Sequence, residues 1–210
     1  MVRDTTFREL VLLTTLTSPF GRKVRMAATV LGIADQIIIQ PADTLADHDP
    51  LRLHNPLGKM PTLLLEDGTA LFDSWVIIEY LTLISGNPLF FPEQGLDRMK
   101  LLTTVKLCDG ITEAALLMVY EHRFRQPEQV SQRWLNHQSE KILRALNIIE
   151  KHLPPSNKTT IVSISLACAL GYLDWRHPIE WRSLYPQLAD WLARYSDYEP
   201  AFLATKCMSN

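Results

Sequence analysis

The chain has 210 residues, 47% of them apolar, which is material for one large or two small hydrophobic cores and excludes a disordered chain. Its net charge of -2, with 21 Lys and Arg against 23 Asp and Glu mixed along the sequence, gives no electrostatic case for nucleic acid or an anionic membrane as partner. No purely apolar run of about 18 residues occurs, and Cys108, Cys168 and Cys207 stand far apart without a CxxC pair, so the expectation is a cytoplasmic protein with free thiols and no metal.

The first 83 residues alternate in type. ELVLLTTL (residues 9–16) reads as a buried strand, and TSPFGRKV (17–24) joins it to a helix predicted over 19–32. Ser18 is a favoured N-cap residue, Pro19 fits the first helical position, and Gly32 supplies the stop. The N–H groups of Phe20 and Gly21 then lack intrahelical acceptors, which together with the helix dipole makes this end attractive to an anion. Two readings of Ser18 stay open: a cap alone, or a cap whose hydroxyl also donates outward to a negatively charged ligand. DQIIIQ (35–40) reads as a second strand, parallel to the first across a right-handed βαβ crossover. Residues 41–59 are irregular, with room for one helical turn. PTLLLE (61–66), the turn DG and TALF (69–72) make a hairpin. DSWVIIEYLTLIS (73–85) closes the unit as a helix.

Composition changes at SGNPLFFPEQG (85–95), whose two prolines and two glycines read as an interdomain linker. Beyond it residues 96–125, 127–153, 160–175 and 185–195 carry helical spacing and no strand is predicted. The expected architecture is therefore α+β with two domains: residues 1–84 as a βαβ-ββα unit, 85–95 as linker, and 96–210 as an all-α bundle.

Four motifs in this order carry a resemblance that covers nearly the whole chain. SPFGRKVR, NPLGKMPTL, LFDSWVIIEYL and ISLACALGYLDWR resemble, respectively, the catalytic turn, the cis-proline loop, the γ-glutamyl-binding turn and the buried C-terminal helix of the soluble glutathione S-transferases. The likeness is to a bacterial, serine-type or beta/omega-like branch. It implies a thioredoxin-like N-terminal domain, glutathione as substrate, a cytoplasmic homodimer and a role in detoxification. It also implies a cis Met60-Pro61 bond, leaving the Met60 backbone to pair with an extended peptide as a short added strand.

On this resemblance Ser18 is the expected donor to the glutathione sulfur and Thr17 the competing one; neither would attack anything itself. At the second junction Ser74 is expected to cap the helix and hold the γ-glutamyl carboxylate, while Asp73, where the family more often has Glu, pairs with the ammonium. Lys59 and His54 are candidates for the glycine carboxylate, or else solvated loop residues. Phe20, with Tyr120, His122, Arg123 and Phe124 in MVYEHRFR, is a candidate for the second-substrate pocket; a core face plus a solvated face is the other reading of that stretch. Ser163 stands where the family usually has the Asp of a capping box opened by Thr160, which predicts a weaker cap and a gain from Ser163→Asp. Two functions remain in view: a transferase that ionises glutathione for attack on a small apolar electrophile, and a non-catalytic module that keeps the fold for binding or interaction. No tyrosine or cysteine lies in the first 20 residues, which disfavours thiol-disulfide exchange through a protein cysteine at the turn.

Overall fold

The structure, a computed structural model, describes residues 9–87, 90 and 95–207. Residues up to 87 together with Cys207 form one unit, and Phe90 with 95–206 forms the other. Of the expected linker, positions 88, 89 and 91–94 lie outside the described residues.

The N-terminal unit is built on a four-stranded sheet, ordered β2-β1-β3-β4, from β1 (Leu10–Leu13), β2 (Ile37–Gln40), β3 (Thr62–Leu64) and β4 (Ala70–Leu71). β1 pairs parallel with β2, Leu10 opposite Ile37, and antiparallel with β3, Leu13 opposite Thr62; β3 pairs antiparallel with β4, Leu63 opposite Leu71. Helices α1 (Pro19–Val30) and α3 (Ser74–Ser85) pack against each other, and a single turn, α2 (Leu51–His54), occupies the predicted irregular stretch. Leu13 forms a buried cluster with Ala42 and Leu51, closed by Val11, Met60 and Leu64, on one face of β1, while Leu10 and Leu12 are buried on the other.

Several boundaries differ from expectation for identifiable reasons. β1 ends at Leu13 because the chain then turns, although the apolar pattern runs on to Leu16, which is exposed. The second strand starts at Ile37, after a 3-10 turn over Ala34–Gln36. α1 ends one residue before its C-cap Leu31, and Gly32 takes the left-handed φ of 71° that ends the helix.

The helical unit comprises α4 (Leu96–Arg123), α5 (Gln132–Glu150), α6 (Ile161–Arg176), α7 (Trp181–Leu184), α8 (Pro186–Tyr198) and α9 (Pro200–Ala204). α4 packs on both α5 and α6, and 11 residues of α6 are buried, which makes α6 the axis of the unit. Trp191 stacks on Tyr195 with ring centres 5.0 Å apart, and burial pushes the Tyr195 phenol well above its ordinary pKa. α5 begins at Gln132, five residues later than the sequence pattern, because Ser131 provides a side-chain cap to Trp134 N–H.

Two ties at helix ends are electrostatic. Glu121, near the end of α4, accepts from Ser131 N–H at 2.9 Å and from Arg125 Nε at 2.8 Å; these bonds hold its carboxyl below the ordinary value of 4.5. At the start of α6 the capping box is closed in both directions: Thr160 N–H donates to Ser163 Oγ at 2.7 Å and Ser163 N–H to Thr160 Oγ1 at 3.2 Å. A serine thus closes the box in both directions; the strength of the expected weaker cap is read from melting. The hydroxyl proton of Ser163 in turn faces the carbonyls of Lys158 and Thr160, at 3.2 and 2.9 Å, in a fully buried position.

Thermal melts should accordingly show Ser163→Ala losing about 1 kcal/mol and Ser163→Asp giving no gain, because a carboxylate has no proton for those carbonyls and would be desolvated there. For Glu121 the depressed pKa means that its contribution is complete above the unfolded value and fades as pH falls through the folded one. Denaturant titrations at descending pH should therefore show the stability advantage of wild type over Glu121→Gln shrinking below about pH 4.5.

Candidate functional site

The strand pairing assembles one end of the sheet. β1 arrives at Leu13, opposite Thr62 where β3 departs; β4 runs antiparallel to β3 and so ends on the same side. Three connections therefore meet at this end: residues 14–18 leading into α1, residues 55–61 leading into β3, and residues 72–73 leading into α3. Both 12-residue helices of the unit start here, each presenting unsatisfied N–H groups and the positive end of its dipole.

At the first connection Ser18 is the N-cap of α1, with φ -71° and ψ 120°, and its Oγ accepts from Gly21 N–H at 3.1 Å. This uses an acceptor site of the hydroxyl and leaves its proton to be donated elsewhere. Ser18 is 8% exposed, whereas Thr17 is exposed and its Oγ1 lies 3.0 Å from Thr15 Oγ1. Gly21 is required by space: a Cβ there would stand 2.1 Å from Thr14 Oγ1, on a fully buried side chain. Phe20 is half-buried one turn along, with Lys23 Nζ 5.6 Å from its ring centre.

The second connection is organised by a residue that sequence reasoning did not single out. Asn55, 1% exposed, donates from Nδ2 to Lys59 O at 2.8 Å and to Thr62 Oγ1 at 3.2 Å, and accepts from Leu57 N–H at 3.0 Å. Its amide is thereby fully used, closing residues 55–62 into one rigid turn, to which Thr62 Oγ1 adds a bond to Lys59 O. The readable signal was the Asn-Pro pair, which marks a turn, but nothing local tells that the side chain reaches seven residues on. The Met60-Pro61 bond that this turn delivers is cis, and Phe72-Asp73 is cis as well. Thr15 N–H donates to Met60 Sδ at 3.3 Å, joining the first two connections. Among the described residues, neither the N–H nor the C=O of Met60 has a hydrogen-bond partner. Lys59 has an exposed side chain and His54, at the end of α2, a half-buried one.

The third connection corrects the sequence reading by one residue. Asp73, not Ser74, is the N-cap of α3: it has the extended φ and ψ of -88° and -164°, and its Oδ1 accepts from Trp75 N–H at 2.9 Å. Asp and Ser are equally good caps, and the residue that leaves the strand is the one with the non-helical backbone. Ser74 becomes the first helical residue, 3% exposed, and its hydroxyl has no hydrogen-bond partner among the described residues. Asp73 keeps Oδ2 for another partner.

In the helical unit Tyr120, Arg123 and Phe124 share one face of α4: Tyr120 and Phe124 meet edge-to-face with ring centres 5.3 Å apart, and the Arg123 guanidinium lies 5.5 Å from the Tyr120 ring. Cys108 and Cys168 are buried and Cys207 is partly exposed; all three are free thiols. Among the described residues there is no group of three or more His, Cys, Asp or Glu that could hold a metal ion, and no helix long and apolar enough to cross a membrane.

Known proteins place this arrangement. The glutathione S-transferase N-terminal domain model matches residues 17–83 and the C-terminal domain model residues 132–194. The chain is 36% identical over 164 residues to a GST-like protein of Escherichia coli K12, YibF, covering 76% of this chain and 80% of the relative. A glutathione transferase family member of Pseudomonas fluorescens Pf-5, solved with bound glutathione, is 40% identical with a TM-score of 0.84, covering 95% of this chain and 100% of that one. A glutathione S-transferase of Methylobacillus flagellatus KT, also solved with glutathione bound, is 31% identical with a TM-score of 0.85 and the same coverage. The two family models together with these relatives show that the chain belongs to the soluble glutathione S-transferase family.

Proposed function

We propose that the protein is a glutathione transferase, which lays glutathione along the sheet end described above and stabilises its sulfur as a thiolate for attack on a small apolar electrophile. The observation that carries this reading is the convergence, at one end of one sheet, of two helix N-termini and the unpaired backbone of Met60. Glutathione offers a γ-glutamyl carboxylate and a thiolate for the two helix starts and an extended backbone for Met60. Family members from Pseudomonas fluorescens and Methylobacillus flagellatus that bind glutathione support the assignment of the ligand.

The roles follow from the chemistry of each group. Ser74 Oγ and the first N–H groups of α3 take the γ-glutamyl carboxylate, and Asp73 Oδ2 takes the ammonium beside it. Met60 pairs with the cysteinyl backbone as a short antiparallel strand, and Lys59, with His54 behind it, meets the glycine carboxylate. The sulfur then lies by the start of α1, where Ser18 donates its hydroxyl proton while its oxygen continues to cap the helix. A hydrogen bond to a charged acceptor contributes about 1.5 to 3 kcal/mol and the helix terminus up to about 1, enough to lower a thiol pKa by about two units from its ordinary 8.5. The thiol proton leaves to solvent; the sulfur lone pair forms the new C–S bond as the electrophile's leaving group departs with its bonding pair. Within the helical unit, Tyr120, Arg123 and Phe124 are proposed to contribute to the apolar substrate's binding; within the N-terminal unit, Phe20 is the candidate for that role.

Ultraviolet titration of bound glutathione is the direct test. Ser18→Ala should raise the bound thiol pKa by about one to two units and lower kcat/KM toward a chromogenic aryl halide by about 10- to 100-fold. Ser18→Asp, which restores a cap but places a negative charge by the sulfur, should fold as wild type and be no better. Tight glutathione binding with an unshifted thiol and no turnover would favour the non-catalytic module instead. Asn55→Ala leaves several buried partners of the Met60 turn unpaired; it should raise KM for glutathione about tenfold, with a smaller change in kcat, and lower Tm.

A further inference from the structure

Between the end of β1 and the Ser18 cap the chain crosses residues 14–18, and the ties that hold this turn come from different elements. Thr14 N–H donates to Gln40 O at 3.0 Å, continuing the pairing with β2. The Leu16 carbonyl accepts from Arg25 Nη2 of α1 and from Cys207 Sγ, each at 3.2 Å. Thr15 is tied to the turn that enters β3: its N–H donates to Met60 Sδ at 3.3 Å, and its hydroxyl lies 3.5 Å from the same sulfur. On its other side Thr15 reaches the cap, because its carbonyl accepts from Ser18 N–H at 3.2 Å and its Oγ1 lies 3.0 Å from Thr17 Oγ1. Thr15 therefore joins Met60 to the residue that starts α1.

Met60 works in two directions. Its side chain packs on the buried cluster of Leu13, Ala42 and Leu51, so the sulfur is anchored to the same core that carries β1. A leucine would fill that space about as well; what the thioether adds is an acceptor, weak but correctly placed, for the Thr15 amide. Its backbone points the other way in function, since among the described residues neither its N–H nor its C=O has a hydrogen-bond partner. The same residue that offers its main chain to a ligand thus holds, by its side chain, the turn that leads to Ser18.

We propose, on the reading of this sheet end as a glutathione site, that the Met60 side chain is a positioning group for the thiolate. The Met60 backbone fixes where the cysteinyl residue lies, and Met60 Sδ, acting through Thr15, fixes where the Ser18 hydroxyl lies. One residue then sets the distance between the sulfur and its donor. A hydrogen bond weakens steeply with misplaced length and angle, so slack in residues 14–18 costs the sulfur its acidity. It costs little grip on the tripeptide, whose γ-glutamyl end is held independently at the start of α3. Loss of the thioether therefore separates thiol activation from glutathione binding.

The test compares wild type with Met60→Leu, a swap that cores tolerate and that removes the acceptor, and with Met60→Gln, whose amide oxygen can accept from Thr15 N–H in its place. Ultraviolet titration should give bound glutathione in Met60→Leu a thiol pKa higher by about half a unit to one unit, with kcat about three- to tenfold lower and glutathione Kd within about twofold of wild type. Met60→Gln should recover about half of the pKa shift or more. In the free protein, amide exchange followed by NMR should show Thr15 N–H exchanging about tenfold faster in Met60→Leu. A role in packing alone would lower Tm and leave the bound pKa where it was. An unchanged bound pKa in Met60→Leu, or a Met60→Gln shifted as far as Met60→Leu, would overturn the assignment. A thiol already unshifted in wild type would be the failure of the transferase reading, and Thr15 exchange would then decide for or against the Met60 link by itself.

Discussion

The pairing of Leu13 with Thr62 is the constraint on which the N-terminal site depends. On one side of this rung the chain leaves β1 for the Ser18 cap; on the other it enters β3 from the cis-proline turn. Thr62 serves both ladders and loop: its backbone pairs with β1, while its fully buried hydroxyl donates to Lys59 O and accepts from Asn55. A shift of one residue in this register would turn Thr62 to the opposite face of the sheet and break its link with Asn55. The position of Met60 is thus set from within the sheet rather than by the loop's own preferences.

What gathers at this end is mostly positive partial charge of the backbone, with Asp73 and Lys59 as the charged side chains beside it. α1 carries no acidic residue in its first turn, and neither does α3, so neither helix neutralises its own N-terminus beyond the caps Ser18 and Asp73. Backbone donors are fixed in place by the helix and need no reorganisation when an anion arrives, which is why two of them side by side suit a ligand with separated negative groups. Gly21 permits this closeness on the α1 side, since any side chain would meet Thr14 and push the helix away from the turn that carries Ser18.

Much of this was legible because it is local. A Ser-Pro pair after an apolar run announces a helix start wherever the helix packs, and α1 begins where that pair puts it. The Asp-Ser pair announced a helix start equally well but could not say which residue caps, since either side chain can; the backbone leaving β4 decided for Asp73. Asn55 was illegible for the opposite reason, because its bonds to Lys59 and Thr62 exist only when the turn is closed and β3 is paired. The short helices α7 and α9, of four and five residues, carry too few turns for a period to show. At Ser163 side-chain length alone is a poor guide to reach, because the hydroxyl accepts from Thr160 N–H while facing two carbonyls at once.

The stretch MVYEHRFR resisted a single reading because α4 has two packed sides. A helix lying against one neighbour shows a clear apolar stripe, but α4 packs against both α5 and α6, and its apolar residues spread around the axis. Tyr120, Phe124 and Arg123 form one aromatic group, while His122, a candidate for the same pocket in the sequence, lines a cleft of the helical unit with Met118 and Val119. The two readings of the stretch, pocket and core, describe different faces of one helix. Which residues belong to which face follows from the 3.6-residue period once the helix's two neighbours are known, and from nothing in the stretch alone.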